Sequence, residues 1–276
     1  MTANDLAAPS LELPAWGEPF DARRRDGLQR TRPIEAPARD WIASGGAGVT
    51  VAVIDSGIEG SHPAVGGRVV RAVRVDLDGE SATISDEAAL DVVGHGTACA
   101  GIIHGLAPEA DLVSVRVLGK NNRTKGLAFA YGLDWVIQQG IGVANLSLSS
   151  RSEELYATFH DLADQAYFGN TVLVCAASNY PGLASYPSLY SSVVSVAAHD
   201  LPDPATWFYN PRPPVEFGAW GVDVPVAWRD GATIVATGNS FAAPHVAGLV
   251  ARIRSAFPSA SPFEVKAILA AGARSG

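Results

Sequence analysis

Apolar positions along this chain follow two periods that alternate from residue 49 onward. Short β-branched runs at 49–55, 111–118, 142–148, 171–176 and 192–197 read as buried strands, and 97–104, 127–139, 153–169 and 240–257 place apolar residues at helical spacing. Strand and helix in alternation predict βαβ units, and hence an α/β fold with a largely parallel sheet flanked by helices. The last helix marks its own start. Ser261-Pro262-Phe263-Glu264 is a capping box with proline at the first helical position, leading into 265–271. The stretch 201–230 is rich in tryptophan and proline and reads as edge strands and loops, because proline cannot donate to a sheet ladder. Residues 1–40 show no sustained period and carry five prolines and the run Arg23-Arg24-Arg25, so an irregular N-terminal extension is expected ahead of one folded domain over 41–276.

Composition narrows the functional classes. With 276 residues, 47% of them hydrophobic and 17% charged, the chain can bury the core of a single large domain. A net charge of -8 excludes the basic footprint that a nucleic-acid or anionic-membrane partner requires. The first residues, Met1-Thr2-Ala3-Asn4-Asp5-Leu6, offer neither a basic nor an apolar leader region, and no window reaches the length of a membrane span, so the expected address is cytoplasmic. Cys99 and Cys175 each lie in an apolar run and read as buried small hydrophobes, too few and too far apart for a metal site. No metal and no cofactor are expected.

Three motifs carry chemistry. Asp55 ends the run Val51-Ala52-Val53-Ile54, His95 sits in Gly94-His95-Gly96-Thr97, and Ser240 opens an apolar helix after Gly238-Asn239. Each lies at a strand-to-turn or turn-to-helix junction, where an α/β protein exposes side chains at the carboxyl ends of its strands. A serine hydroxyl needs a base within hydrogen-bond reach, and the base needs a carboxylate to fix its tautomer and stabilise the imidazolium. Asp55, His95 and Ser240 are therefore the candidate catalytic residues. Their chain order differs from that of the α/β-hydrolases and of the chymotrypsin type, and agrees with the subtilisin order.

Residue by residue, the chain resembles the subtilisin-like serine peptidases. The resemblance rests on Asp55-Ser56-Gly57-Ile58 with His62-Pro63, on Gly94-His95-Gly96-Thr97 with Ala100-Gly101, on Ala107-Pro108 with 115–118, and on Gly238-Asn239-Ser240 with Ala243-Pro244-His245-Val246-Ala247-Gly248. It implies a three-layer fold around a seven-stranded sheet, a serine endopeptidase acting on peptide or protein substrates, and Asn179 as oxyanion donor beside the Ser240 N–H. The segment containing Ser147, Leu148 and Ser149 resembles the strand that pairs with an extended substrate. Ser149 and Ser178 stand where the family has pocket-wall glycines, and Ser185 aligns near the pocket floor, which predicts a narrower and more polar pocket. Lys120, Arg123 and Lys125 fall in a loop bordering upstream subsites, where cations favour acidic substrate positions. Only His104-Gly105-Leu106 separate 100–103 from Ala107-Pro108, so the calcium loop that many secreted members carry there is expected to be missing. Cys99, four residues after His95, is expected under the imidazole, as in thiol-containing members. His62 and His245 are expected to make structural hydrogen bonds.

These features predict a selective intracellular processing protease, for example one that removes a precursor leader. The same acyl-enzyme could serve a peptide ligase or macrocyclase, and the same fold a catalytically silent peptide-binding module.

Overall fold

A computed structural model of the chain describes residues 39–121, 124–180, 182–212 and 214–274. The expected N-terminal extension lies almost wholly outside the described residues, as does Arg123. In chain order the strands and helices are β1 (Thr50–Asp55), β2 (Val69–Asp78), β3 (Ser81–Asp86), α1 (His95–Leu106), β4 (Asp111–Arg116), α2 (Gly126–Gln138), β5 (Val143–Leu146), α3 (Tyr156–Phe168), β6 (Val172–Ala176), β7 (Val194–His199), β8 (Trp207–Tyr209), β9 (Phe217–Trp220), β10 (Val224–Trp228), β11 (Ala232–Ala236), α4 (Asn239–Ala256) and α5 (Pro262–Gly272).

The main sheet has nine strands in the order β3-β2-β4-β1-β5-β6-β7-β9-β8. Every neighbouring pair from β2 to β9 is parallel, so the expected seven strands are its parallel core. Two antiparallel hairpin partners, β3 on β2 and β8 on β9, extend it to nine. Sequence patterning reaches the central strands because they are buried on both faces and therefore read as unbroken apolar runs. β5 and β6 are buried at every position. β2 mixes buried with exposed residues, β3 at the edge is nowhere buried, and both carry charges, which hides them from the same criterion.

Helices cover both faces. Val51 and Val53 of β1 pack in one core with residues of α1, α4 and α5, whereas Ala52 and Ile54 pack in another with residues of α2 and α3. Helix α4 is buried along most of its 18 residues, and its small side chains let it approach α1 closely. A Cβ added to Gly248 would lie 2.7 Å from the Leu106 Cβ, so a larger residue there would force α1 and α4 apart. The hairpin β10–β11 packs against α1 through Ala98, Val224 and Val226. No helix among the described residues is long and apolar enough to cross a membrane.

This topology positions a site. After β1 the chain lays down β2, β3 and β4 on one side of it and then β5, β6 and β7 on the other, so the strand order reverses at β1. Loops leaving the carboxyl ends at such a reversal diverge and open a crevice. Asp55 is the last residue of β1, and Ser147 follows directly on β5.

Candidate active site

Asp55 is fully buried. Its carbonyl accepts from Val117 N and Leu118 N, at 2.9 and 3.1 Å, and its Oδ1 accepts from Ser56 N at 2.7 Å. The carboxylate meets His95 Nδ1 with both oxygens, at 2.9 and 2.8 Å. Such a pair orients the imidazole with its Nδ1–H donating to the aspartate and leaves Nε2 as the basic edge. His95 opens α1 behind Gly94, whose φ of 115° is open to glycine and strained for other residues. A Cβ at Gly94 would also strike the Trp228 ring at 2.6 Å. Burial pulls the His95 pKa down, but the Asp55 charge and hydrogen bond, together with the Asp91 charge, outweigh it, and the net value is raised above 6.5.

Asp91 ties the two halves of this pair together. Its Oδ1 accepts from Ser56 Oγ, Val93 N and Gly94 N, and its Oδ2 from Thr97 N and Thr97 Oγ1, all within 2.7–2.9 Å. The turn after β1 and the first turn of α1 thus share one carboxylate.

Ser240 lies in the first turn of α4. Its Oγ donates to the Ser147 carbonyl at 3.1 Å, and no hydrogen bond joins it to His95 in this conformation. Both residues nonetheless line the same cleft. It has a volume of about 590 Å³ and is bounded also by Ser147, Leu148, Ser149, Ser178 and Asn179. An unliganded serine often leaves its base and turns to it only when substrate fills the cleft.

Asn179 follows β6. Its Oδ1 accepts from Asn239 N at 2.9 Å, which uses its acceptor and leaves the Nδ2 hydrogens as donors. Asn239, directly before Ser240, bridges three elements: its Oδ1 accepts from Ala198 N at 2.8 Å, and its Nδ2 donates to Ala177 O at 3.2 Å and Ser178 O at 3.0 Å. The start of α4 is pinned in this way to β7 and to the loop that carries Asn179. The one sequence signal for this role is the residue type itself, since a side-chain amide at a junction is suited to join backbone donors and acceptors.

Not every expected residue reaches the cleft. Ser185 is 2% exposed, shares a hydrogen bond with Ser188 Oγ at 3.1 Å and does not line the cavity, so its hydroxyl is spent inside a buried turn. Lys120 is exposed and also outside the lining. In their place the cleft contains Arg151, Thr124 and Tyr180, which reach it from loops where no periodicity marks a direction. Cys99 is buried one helical turn after His95, with Sγ 4.0 Å from Asp55 Oδ2 and 3.6 Å from the Ser240 carbonyl. Burial and then the Asp55 charge push its thiol pKa well up, so it stays protonated. His62 Nε2 donates to Ala232 O (3.1 Å) and its Nδ1 accepts from Ala64 N (3.1 Å), and His245 Nδ1 donates to Phe241 O at 2.8 Å. Burial holds the His245 pKa down at about 4. Both are structural histidines, as expected.

A mostly parallel sheet flanked by helices, with a buried Asp–His pair and a serine at one cleft, is the arrangement of an α/β serine hydrolase. Comparison with known proteins narrows it: residues 46–276 match the model of the subtilase family, and the chain belongs to that family of serine endopeptidases. It is 34% identical over 225 residues to a thermostable alkaline protease of Halalkalibacterium halodurans, covering 78% of this chain and 59% of that one. It is 34% identical over 244 residues to subtilisin BL of Lederbergia lenta, covering 84% and 86%. Among solved structures, the S41 psychrophilic protease superposes with a TM-score of 0.72 at 29% identity, over 82% of this chain and 83% of that one.

Proposed function

We propose that the chain cleaves peptide bonds through an acyl-enzyme on Ser240. Asp55 fixes the tautomer of His95, the Nε2 edge of His95 takes the Ser240 proton, and Ser240 Oγ attacks the substrate carbonyl. Asn179 Nδ2 and the Ser240 N–H receive the oxyanion, a donor pair whose loss costs about 10²–10³ in turnover per member in comparable sites. His95 then returns its proton to the leaving amine, and water resolves the ester by the same route in reverse. The observation that carries this reading is the two-oxygen grip of the buried Asp55 on His95 Nδ1, which leaves the opposite ring edge as a base in the cleft that Ser240 lines.

The cleft also supports a selective processing role. Ser149, Ser178 and Thr124 line its walls, so a substrate side chain meets sterically fuller surroundings than glycine walls would give. Ser147, Leu148 and Ser149 extend from β5 and receive the substrate main chain in extended form.

A fluorophosphonate probe followed by peptide mass spectrometry tests the reading. Labelling is expected at Ser240 alone, and is expected to vanish in Ser240→Ala and to slow strongly in His95→Ala. Absence of label on the folded wild-type chain favours a silent binding module and overturns the proposal.

A further inference from the structure

At the end of the sheet opposite the active site, the loops entering β1 and β5 and the end of α4 enclose a second cavity of about 290 Å³, lined by Gly48, Thr50, Gln139, Gly142, Arg254 and neighbouring residues. The two cavities are separated by the length of the strands, roughly 15–20 Å at 3.3 Å per residue. Arg254 is only 9% exposed. A buried cation is normally met by a carboxylate, because removing its hydration is costly. Among the described residues Arg254 has neutral oxygen partners only: Nη1 donates to Asn170 Oδ1 at 3.0 Å and to Ala260 O, and Nη2 donates to Asn170 O at 3.1 Å. Burial correspondingly lowers its pKa.

Those bonds use three of the five guanidinium hydrogens. The Nε hydrogen and one Nη2 hydrogen are left over, and they lie on the same edge of the fork. That edge faces Gly142: a Cβ built there would lie 3.6 Å from Nη2 and 3.9 Å from Nε. Position near the carboxyl end of α4 accounts for a cation at this place, since helix carbonyls attract one. It does not account for a free two-donor edge at the wall of a cavity whose described lining contains no acidic residue.

We infer that this cavity is a binding site for a small oxyanion, a phosphate or a carboxylate, gripped by the free edge of Arg254. Two parallel N–H donors at fixed spacing match two oxygens of either anion. The glycines of the entering loops leave room for them beside the backbone.

The test is a thermal-shift titration of the full chain with inorganic phosphate, with acetate, and with chloride at matched ionic strength. Phosphate or acetate is expected to raise Tm with the logarithm of its concentration above Kd, by about 3–5 °C at tenfold excess, with chloride inert. A response to phosphate alone identifies a phosphate site, and one to acetate a carboxylate site. Arg254→Gln is expected to abolish the response. Should that variant fail to fold, Gly142→Asp decides: it places a tethered carboxylate beside the fork and is expected to raise Tm without anion and to remove the anion response. An equal rise with all three salts, a response retained in Gly142→Asp or Arg254→Gln, or no response in the wild type overturns the inference and leaves Arg254 capped by carbonyls and water.

Discussion

Ser147 and Ser240 hold each other's carbonyls: Ser147 Oγ donates to Ser240 O at 2.8 Å, and Ser240 Oγ donates to Ser147 O at 3.1 Å. The Ser240 carbonyl is available because its helical partner four residues on is Pro244, which has no N–H. Ser147 Oγ in turn accepts from Asn145 Nδ2 at 3.0 Å, so a short relay runs from within β5 to Ser240. Ser147→Ala breaks both bonds of the relay and strands a buried amide. It is expected to cost about 1–2 kcal/mol, seen as a Tm lower by about 2–6 °C, and to reduce kcat more than it raises KM. A variant with unchanged Tm and unchanged kcat would show the relay to be dispensable.

Asn239 is expected to act as a positioning residue, through Asn179 and the start of α4 and without touching substrate. Asn239→Ala removes three hydrogen bonds. Asn239→Asp keeps the acceptor for Ala198 N but turns a carboxylate toward the carbonyls of Ala177 and Ser178. Both variants are expected to lower kcat by about 10–100-fold, the order seen when a donor aimed at a developing charge is misplaced, with a smaller change in KM. Equal losses in kcat and Tm stability without any kcat-to-KM asymmetry would point to a merely structural role.

How far the sequence reaches depends on what a residue type can encode. Val143–Leu146 and Val172–Ala176 announce themselves because both faces are buried, Asp55 because it ends such a segment, and His95 and Ser240 because each opens an apolar helix behind a glycine-containing turn. Val69–Asp78 does not, since its arginines and aspartates interrupt the apolar run on the exposed face. Side-chain direction in loops is the other blind spot. Ser185 and Arg151 both lie in loops near the site; the first turns into a buried contact with Ser188 and the second into the cleft, and no periodicity distinguishes them beforehand. Arg254 is hidden for a third reason, since an arginine near a helix end is ordinary on a surface and informative only once its burial is known.

The raised pKa of His95 gives activity and stability opposite pH dependences. The neutral ring is the base, so the acid limb of kcat/KM is expected to have its midpoint above 6.5, and Asp91→Asn, which removes a charge that raises the pKa, is expected to move that midpoint down. Stability behaves the other way. A folded pKa above the unfolded value makes the protonated His95–Asp55 pair contribute fully below pH 6.5, and that contribution is lost as pH rises through the folded value. Wild type and His95→Gln should therefore converge in Tm as pH increases. A pH–rate profile measured with an uncharged substrate, whose acid limb stayed put in Asp91→Asn, would refute the electrostatic part.

Cys99 places a thiol beside the Asp55–His95 pair: its Sγ, a carboxylate oxygen of Asp55 and a ring nitrogen of His95 all lie within 4.8 Å of one another. A mercurial on this sulfur would wedge between the carboxylate and the Ser240 carbonyl. Because the thiol is buried and protonated, inactivation is expected to be slow but complete, to vanish in Cys99→Ala, and to persist in Cys175→Ala. Rapid loss in Cys99→Ala would assign the sensitivity elsewhere.

Arg151 is an exposed cation at the cleft, with no carboxylate among the described residues that line it. A substrate with an acidic side chain opposite this position brings the missing charge, whereas a basic one is repelled. Because the pair is solvated, the effect is modest and falls with salt. Arg151→Ala is expected to reduce kcat/KM for acidic peptides by about 2–5-fold at low ionic strength and by less at 0.5 M salt, as a pair of about 0.5–1 kcal/mol dictates, with neutral peptides unaffected. Arg151→Glu should invert the preference toward lysine-containing peptides. Lys120→Ala, at a residue outside the lining, is expected to change acidic cleavage less than Arg151→Ala does. Profiling the three variants against one peptide library checks the assignment, and equal effects of Lys120→Ala and Arg151→Ala would return the acidic preference to the basic loop as a whole.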